Sequence, residues 1–206
     1  MTVFDLRCLH AADVAAAAEL LGRGMRDNPT HVQVFGEYPE RRRRALAAMF
    51  APFMRRQVQS GLAFGAFIGD ELAGVAGLSL PGRCQPALAD KLRALPALLA
   101  ATGPRSLWRV YCWTRVWKQR DAQMPRHGHL GPLAVAPERQ GQGIGSALFE
   151  RLCDELGKRG LTGYLETDLA ANVRLYERFG FSVVARRPVV GTEHWFMLQR
   201  RREPAI

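Results

Sequence analysis

What most constrains this chain is where its glycines stand between an extended run and an amphipathic one. Leu130-Gly131-Pro132-Leu133-Ala134-Val135 reads as a strand that runs into Pro137-Glu138. Gly141, Gly143 and Gly145 then open a helix with Ala147, Leu148, Leu152 and Leu156 at inward spacing. The first amides of a helix have no acceptor of their own, and the helix dipole places partial positive charge beside them. Glycine lets an anion come close to such amides. The spacing therefore predicts a pyrophosphate-binding turn over Gln140, Gly141, Gln142, Gly143, Ile144, Gly145 and Ser146. A dinucleotide fingerprint would need glycine at position 146 or 148, where Ser146 and Leu148 stand. Nor does any glycine-rich turn end in Gly-Lys-Ser or Gly-Lys-Thr, which disfavours nucleotide hydrolysis.

Around this turn the periodicity predicts alternating elements. Val14, Ala18, Leu21 and Met25 recur at helical spacing over residues 11–25, and Asp27-Asn28-Pro29 breaks that helix. A second helix fits residues 40–58, with Leu46, Met49, Phe50, Phe53 and Met54 on one side. Leu62 to Leu80 reads as a hairpin turning at Gly69-Asp70-Glu71. Residues 86–121 predict two helices parted near Gly103-Pro104. The second carries Trp108, Tyr111, Cys112, Trp113 and Trp117, an aromatic cluster divided between core and cavity wall. Strand 129–136, helix 145–158, strand 162–167, helix 171–179 and strands 181–188 and 193–199 complete the chain. Parallel neighbours joined by a helix and flanked by antiparallel strands imply an α/β (α+β) fold. Its central sheet is mixed and mostly antiparallel, with a parallel pair in the middle and helices on both faces.

Composition narrows the setting. With 206 residues, 48% of them hydrophobic, the chain can fill a core as a single domain over 1–206. Its apolar stretches, such as Val14-Ala15-Ala16-Ala17-Ala18 between Asp13 and Glu19, fall well short of the ~18 residues of a membrane span. Met1-Thr2-Val3-Phe4-Asp5 lacks the basic start and apolar centre of a secretory signal, so a cytoplasmic location is expected. Cys8, Cys84, Cys112 and Cys153 form no C-x-x-C pair and read as free thiols, with no metal expected. Twenty-nine basic residues against nineteen acidic ones leave a net charge of +10, which suits a polyanionic partner. The run Arg41-Arg42-Arg43-Arg44 reads as a solvated helix face, so neither nucleic acid nor membrane is an expected partner.

Gln140, Gly143 and Gly145, following a strand that ends Val135-Ala136-Pro137, resemble the phosphate-binding motif of the GNAT superfamily of acyl-CoA-dependent N-acyltransferases. The run from Asn172 through Tyr176 to Gly180-Phe181 is similar to a second signature of that family. The resemblance implies a GNAT-like domain in which acetyl-CoA, the coenzyme A co-substrate, lies along the backbone of Leu133, Ala134 and Val135. Residues 140–146 would hold its pyrophosphate, and Asn172 and Tyr176 would complete the cofactor site. Within the superfamily, Leu165-Glu166-Thr167, Tyr176-Glu177-Arg178 and Trp195 to Met197 are most similar to the puromycin N-acetyltransferases, where Glu166 and Tyr176 match a catalytic pair. Residues 128–200 would then be the acetyl-CoA half and 1–127 the acceptor-side half.

The chemistry fits those positions. Glu166 lies near the carboxyl end of its strand, where ligands gather in open α/β sheets. Asn172 and Tyr176, four residues apart, project from one helix face. An amine attacks a thioester only when unprotonated, so a neighbouring group must take its proton. A departing thiol with a pKa of about 8.5 needs one back, and a tyrosine near 10 can give it. The expected activity is transfer of an acetyl group to a primary amine of a small molecule by direct attack. Glu166 would assist deprotonation and Tyr176 would protonate the thiolate, with His129 or a water chain as the alternative base. Asp27, Asn28, His31, Phe35, Tyr38 and Trp108, with His129, are the candidate acceptor contacts. Peptide or protein N-acetylation, or a non-catalytic module that senses acyl-CoA or binds nucleic acid, are the competing readings. Monomer and homodimer are both open.

Overall fold

The computed structural model describes residues 3–85 and 87–199. Met1 and Thr2 of the segment read for a signal, Pro86 of the predicted helix and the last residues of the 1–206 span lie outside the described residues. The described chain forms one α/β domain around a seven-stranded sheet in the order β1-β2-β3-β4-β5-β7-β6. The strands are β1 (Asp5–Cys8), β2 (Ala63–Ile68), β3 (Glu71–Ser79), β4 (His127–Val135), β5 (Thr162–Thr167), β6 (Phe181–Val189) and β7 (Thr192–Gln199). The pairing is antiparallel throughout except between β4 and β5, which are parallel.

Helices cover both faces. On one lie α1 (Val14–Met25), α2 (Pro29–Phe35), α3 (Pro39–Gln59), α4 (Leu88–Thr102) and α5 (Pro104–Asp121). Leu20, Leu21, Leu46, Met54 and Trp113 from these helices bury against Val75, Tyr164 and Phe196 of the sheet. On the other face α6 (Ile144–Lys158) and α7 (Ala170–Glu177) pack Ile144, Leu148, Phe149, Leu152 and Tyr176 against Phe64, Leu78, Leu165 and Met197. The i, i+4 spacing of Ile144, Leu148 and Leu152 makes the buried stripe of α6. That stripe sits close because β3 offers Gly74 beneath it. A Cβ there would stand 2.7 Å from Ile144 Cγ2 and 2.9 Å from Leu148 Cδ1.

Several elements differ from the periodicity. Asp27-Asn28-Pro29 ends α1, yet Pro29 also opens α2, because its fixed φ and missing N–H suit the first position of a helix. The edge strand β1 has no apolar alternation to announce it. All four of its residues are exposed, and ladder bonding to β2 holds it, from Asp5↔Phe67 to Cys8↔Phe64. The strand predicted to begin at residue 129 starts at His127, which pairs with Thr162. In the basic run, Arg42 departs from the solvated face and is 5% exposed. Its guanidinium donates to the carbonyls of Arg26 (2.7 Å) and Gly36 (2.9 Å) and to Asp27 (2.6 Å), closing the start of α3 over α2. None of the described helices is long and apolar enough to cross a membrane.

Candidate active site

The site forms where the parallel strands part. β4 and β5 are paired from His127↔Thr162 to His129↔Tyr164. Beyond that, β4 continues along β3 as far as Val135↔Gly74, and β5 continues along β7 as far as Thr167↔Trp195. A register shift between Ala76 and Leu78 turns β4 away at Gly131-Pro132. A cavity of about 390 Å³ opens in the gap. Leu130 to Leu133, Leu165, Glu166 and Thr167 line it from the sheet, and Asn172 and Tyr176 from α7. Met49, Phe50, Phe53, Leu98, Trp113 and Trp117 wall it from α3, α4 and α5.

Four side chains carry the polar chemistry. Glu166 Oε2 lies 3.3 Å from His129 Nε2 in an ion pair, with the two side chains 5% and 16% exposed. Burial alone would lower the pKa of His129, but the Glu166 carboxylate, with Asp121 and Cys84, holds it well above the usual histidine range. Tyr176 is 8% exposed and packs its ring 4.7 Å from that of Phe149. Burial, reinforced by the charge of Asp168, raises its hydroxyl pKa above the usual tyrosine range, so it stays protonated. Asn172 Nδ2 donates to Thr167 Oγ1 at 3.4 Å, tying α7 to the end of β5.

The glycine turn has the geometry an anion needs. Gly141 (φ +75°) and Gly143 (φ +85°) are left-handed, and a Cβ at either would meet nothing within 4 Å. Their outer faces are therefore open, and a side chain there would be strained. Gly143 caps α6, and Ala147 N–H donates to its carbonyl at 3.1 Å. The amides of Ile144, Gly145 and Ser146 precede that bond and have no intrahelical acceptor. The side chain of Ile144 is itself buried, 1% exposed, so only its backbone can face a ligand. Gln140 Nε2 donates to the Val135 carbonyl at 3.3 Å, and Gln142 Nε2 reaches the Glu138 carbonyl at 3.5 Å. Leu133 lines the cavity, whereas the side chain of Ala134 is in the core on the α1 face and Val135 packs toward α6.

The acceptor-side residues divide. Asn28, His31 and His129 line the cavity. His31 is held by a 2.6 Å contact of Nδ1 with the Met25 carbonyl and by Trp113, 5.3 Å from its ring. Burial lowers its pKa and keeps it neutral. Four others lie elsewhere. Asp27 pairs with Arg42, Phe35 is core, and Tyr38 and Trp108 are 67% and 66% exposed. Sequence reasoning passed over Ser79, Asp90, Asp168 and His194, which also line the cavity. Asp168 had a usable signal, since it follows Glu166 by two positions at the end of β5. It accepts the Thr30 amide at 2.8 Å. Asp90 and His194 come from segments remote from either motif.

The chain belongs to the acetyltransferase (GNAT) family, whose model matches residues 28–181. It is 40% identical over 62 residues to the L-methionine sulfoximine/L-methionine sulfone acetyltransferase of Salmonella typhimurium, covering 29% of this chain and 36% of that enzyme. It is 37% identical over 80 residues to the L-amino acid N-acyltransferase MnaT of Escherichia coli, covering 37% of this chain and 45% of that enzyme. These matches thus span less than half the length of either relative. Its fold resembles the solved "histone acetyltransferase HPA2 and related acetyltransferase" of Corynebacterium glutamicum, with a TM-score of 0.68 at 19% identity over 100% of both chains.

Proposed function

We propose that this protein transfers an acetyl group from acetyl-CoA to the primary amine of a small molecule with an apolar body. The observation that carries this reading is the convergence of Glu166, His129, Asn172 and Tyr176 on one aromatic-walled cavity where β4 and β5 part. The open glycine faces and the acceptorless amides at the start of α6 fit the pyrophosphate of coenzyme A. Leu133, Ala134 and Val135 offer it one backbone edge, the other being bonded to β3. When bound, the acetyl-CoA supplies an activated thioester.

The chain's own groups do the rest. Asp168, held by the Thr30 amide and Asn28, places a carboxylate on the cavity that draws a cationic amine in, while Phe50, Trp113 and Trp117 hold its apolar portion. Glu166 accepts the amine's proton, directly or through one water, and exposes the nitrogen lone pair. His129 positions that carboxylate from the neighbouring strand. Tyr176, kept neutral by its burial, holds the proton that a leaving thiolate requires. Walls on several sides favour a small acceptor over a polypeptide, which needs an open groove.

Thiol release from acetyl-CoA, measured against a panel of aliphatic, aryl-substituted and amino-acid amines and an N-terminal peptide, tests the reading. Turnover of at least one small amine, with the peptide inert, is the expected result. Turnover of the peptide alone would reassign the acceptor, and no turnover with any amine would remove the activity.

A further inference from the structure

Behind His129 lies a cluster of which the acyl-transfer reading uses that residue alone. Cys84, on the loop between β3 and α4, Asp121 at the end of α5, and His127 and His129 on β4 each bring one donor atom within 4.8 Å of all the others. We propose that these four residues form a zinc site. The donor set of one thiolate, two imidazoles and one carboxylate is borderline-soft, which suits Zn²⁺ and not the oxygen-seeking Mg²⁺ or Ca²⁺.

The distances fit. A tetrahedral zinc site with bonds of about 2.0–2.3 Å sets its donors about 3.3–3.8 Å apart. Here Asp121 Oδ1 lies 2.9 Å from His127 Nε2 and 3.9 Å from His129 Nδ1, and Cys84 Sγ lies 3.9 Å from His127 Nε2. These separations straddle the tetrahedral edge, so shifts of half an ångström or so would seat the ion.

The outer contacts point the same way. His127 Nδ1 is 2.7 Å from the Pro125 carbonyl, which can only accept, so Nδ1 carries a proton, and Nε2, facing Asp121 Oδ1 at 2.9 Å, is the nitrogen whose proton a cation would displace. His129 turns Nε2 toward Glu166 and leaves Nδ1 buried, with no hydrogen-bond partner among the described residues, facing the same centre. Each imidazole thus has an outer oxygen beside one nitrogen and turns the other toward the shared centre, the arrangement that orients histidine ligands of metals once the inward proton is displaced. Cys84 and Asp121 both meet the same nitrogen of His127. A nucleophilic relay would need thiol and carboxylate on opposite ring nitrogens, whereas a shared cation needs them together.

In place, the ion would be closed off by four protein ligands, as structural zinc is. Cys84 and Asp121 bracket the helical pair α4 and α5, and His127 and His129 belong to the central sheet. The ion would therefore fasten both ends of the cavity wall to the strand that carries the site.

The test uses the tag-free full chain, stripped with a chelator and titrated with Zn²⁺ and separately with Co²⁺. The expected result is one ion per chain, a rise in Tm on adding Zn²⁺, and a Co²⁺ spectrum with tetrahedral d–d bands and a thiolate charge-transfer band. C84S should abolish the charge-transfer band and weaken Zn²⁺ binding at least about tenfold, the loss that even an outer-shell change produces. D121N should weaken binding to a similar degree, while C112S should leave it unchanged. All three variants are checked for a cooperative thermal transition. Should one fail to fold, the parent's charge-transfer band and Zn²⁺-dependent Tm still decide the matter. Substoichiometric binding without a Tm shift, or equal affinity in folded C84S, D121N and parent, would overturn the site and leave a proton between His127 and Asp121. These readouts do not depend on turnover, so their failure leaves the acyl-transfer reading untouched.

Discussion

His129 and Glu166 stand on adjacent parallel strands and meet at 3.3 Å at the point where those strands separate. The imidazole is thereby a fixed neighbour for the carboxylate and leaves its remaining oxygen for the cavity. Glu166→Gln keeps the shape and removes the basic oxygen. We expect kcat to fall about 10²–10⁴-fold, the usual range for a general base, with KM for acetyl-CoA little changed. A variant that retains parental kcat across pH 6–9 would take the base role away from Glu166.

Tyr176→Phe should lower kcat by at least about 10²-fold while acetyl-CoA binding by calorimetry stays within about twofold. Because burial raises the hydroxyl pKa, the parent enzyme should also show no alkaline loss of kcat from this group near pH 10, where an ordinary tyrosine ionises. An alkaline limb there that disappears in Tyr176→Phe would mean that the hydroxyl is not shielded.

His31 should make stability acid-sensitive. Burial lowers its folded pKa below the unfolded value of about 6.5, opposed by Asp168 and assisted by His194 and Arg42. The unfolded chain therefore takes up the proton first. The stabilisation is complete above about pH 6.5 and declines as pH falls below it toward the folded pKa. In thermal melts from pH 7.5 to 5, His31→Gln, whose amide can still donate to the Met25 carbonyl, should lose less Tm than the parent. Parallel curves would show that His31 is not the sensor.

Arg42 holds three acceptors at once from a nearly buried position. Arg42→Ala strands the Arg26 and Gly36 carbonyls and leaves Asp27 to Arg26 alone, at an expected cost of about 2–4 kcal/mol. Arg42→Lys should recover little of this, because a single ammonium cannot reproduce the planar fork. Urea titration decides the point, and full recovery by lysine would reduce Arg42 to a point charge.

Gly143→Val should weaken coenzyme A binding by at least about tenfold by placing a branched side chain on the open anion face, at a left-handed φ that valine resists. Calorimetry on protein with an intact thermal transition checks this. Unchanged affinity would move the phosphates elsewhere.

What could be read from the chain was local. The strand, glycine turn and helix over residues 130–156 and the hairpin around Gly69 were legible, because turn chemistry and apolar period are written in neighbouring residues. The same holds for Asn172 and Tyr176, which a single helical turn brings together. β1 was not legible, since backbone pairing alone holds its four exposed residues. Nor was the partition of the acceptor residues. Whether Trp113 or Trp108 enters the cavity depends on how α5 is rotated against α3, which is a tertiary outcome. Cys84 and Asp121 approach His127 only once α4 and α5 have folded back. The alternating His127-Gly128-His129, with both rings on one strand face, was the sole hint of that meeting.

Ser79 at the end of β3 is the ladder partner of His129 near the start of β4, so everything from Leu80 to Arg126 leaves the sheet and re-enters it at one place. Topologically that excursion is a long hairpin loop. Exchanging it for another of different length would leave strand order and the glycine turn intact while changing one wall of the gap proposed to hold the thioester. On the proposed reading, the part of the acceptor wall made by Asp90, Trp113 and Trp117 is therefore detachable, while Asn28, His31 and Phe50 stay with the rest of the fold.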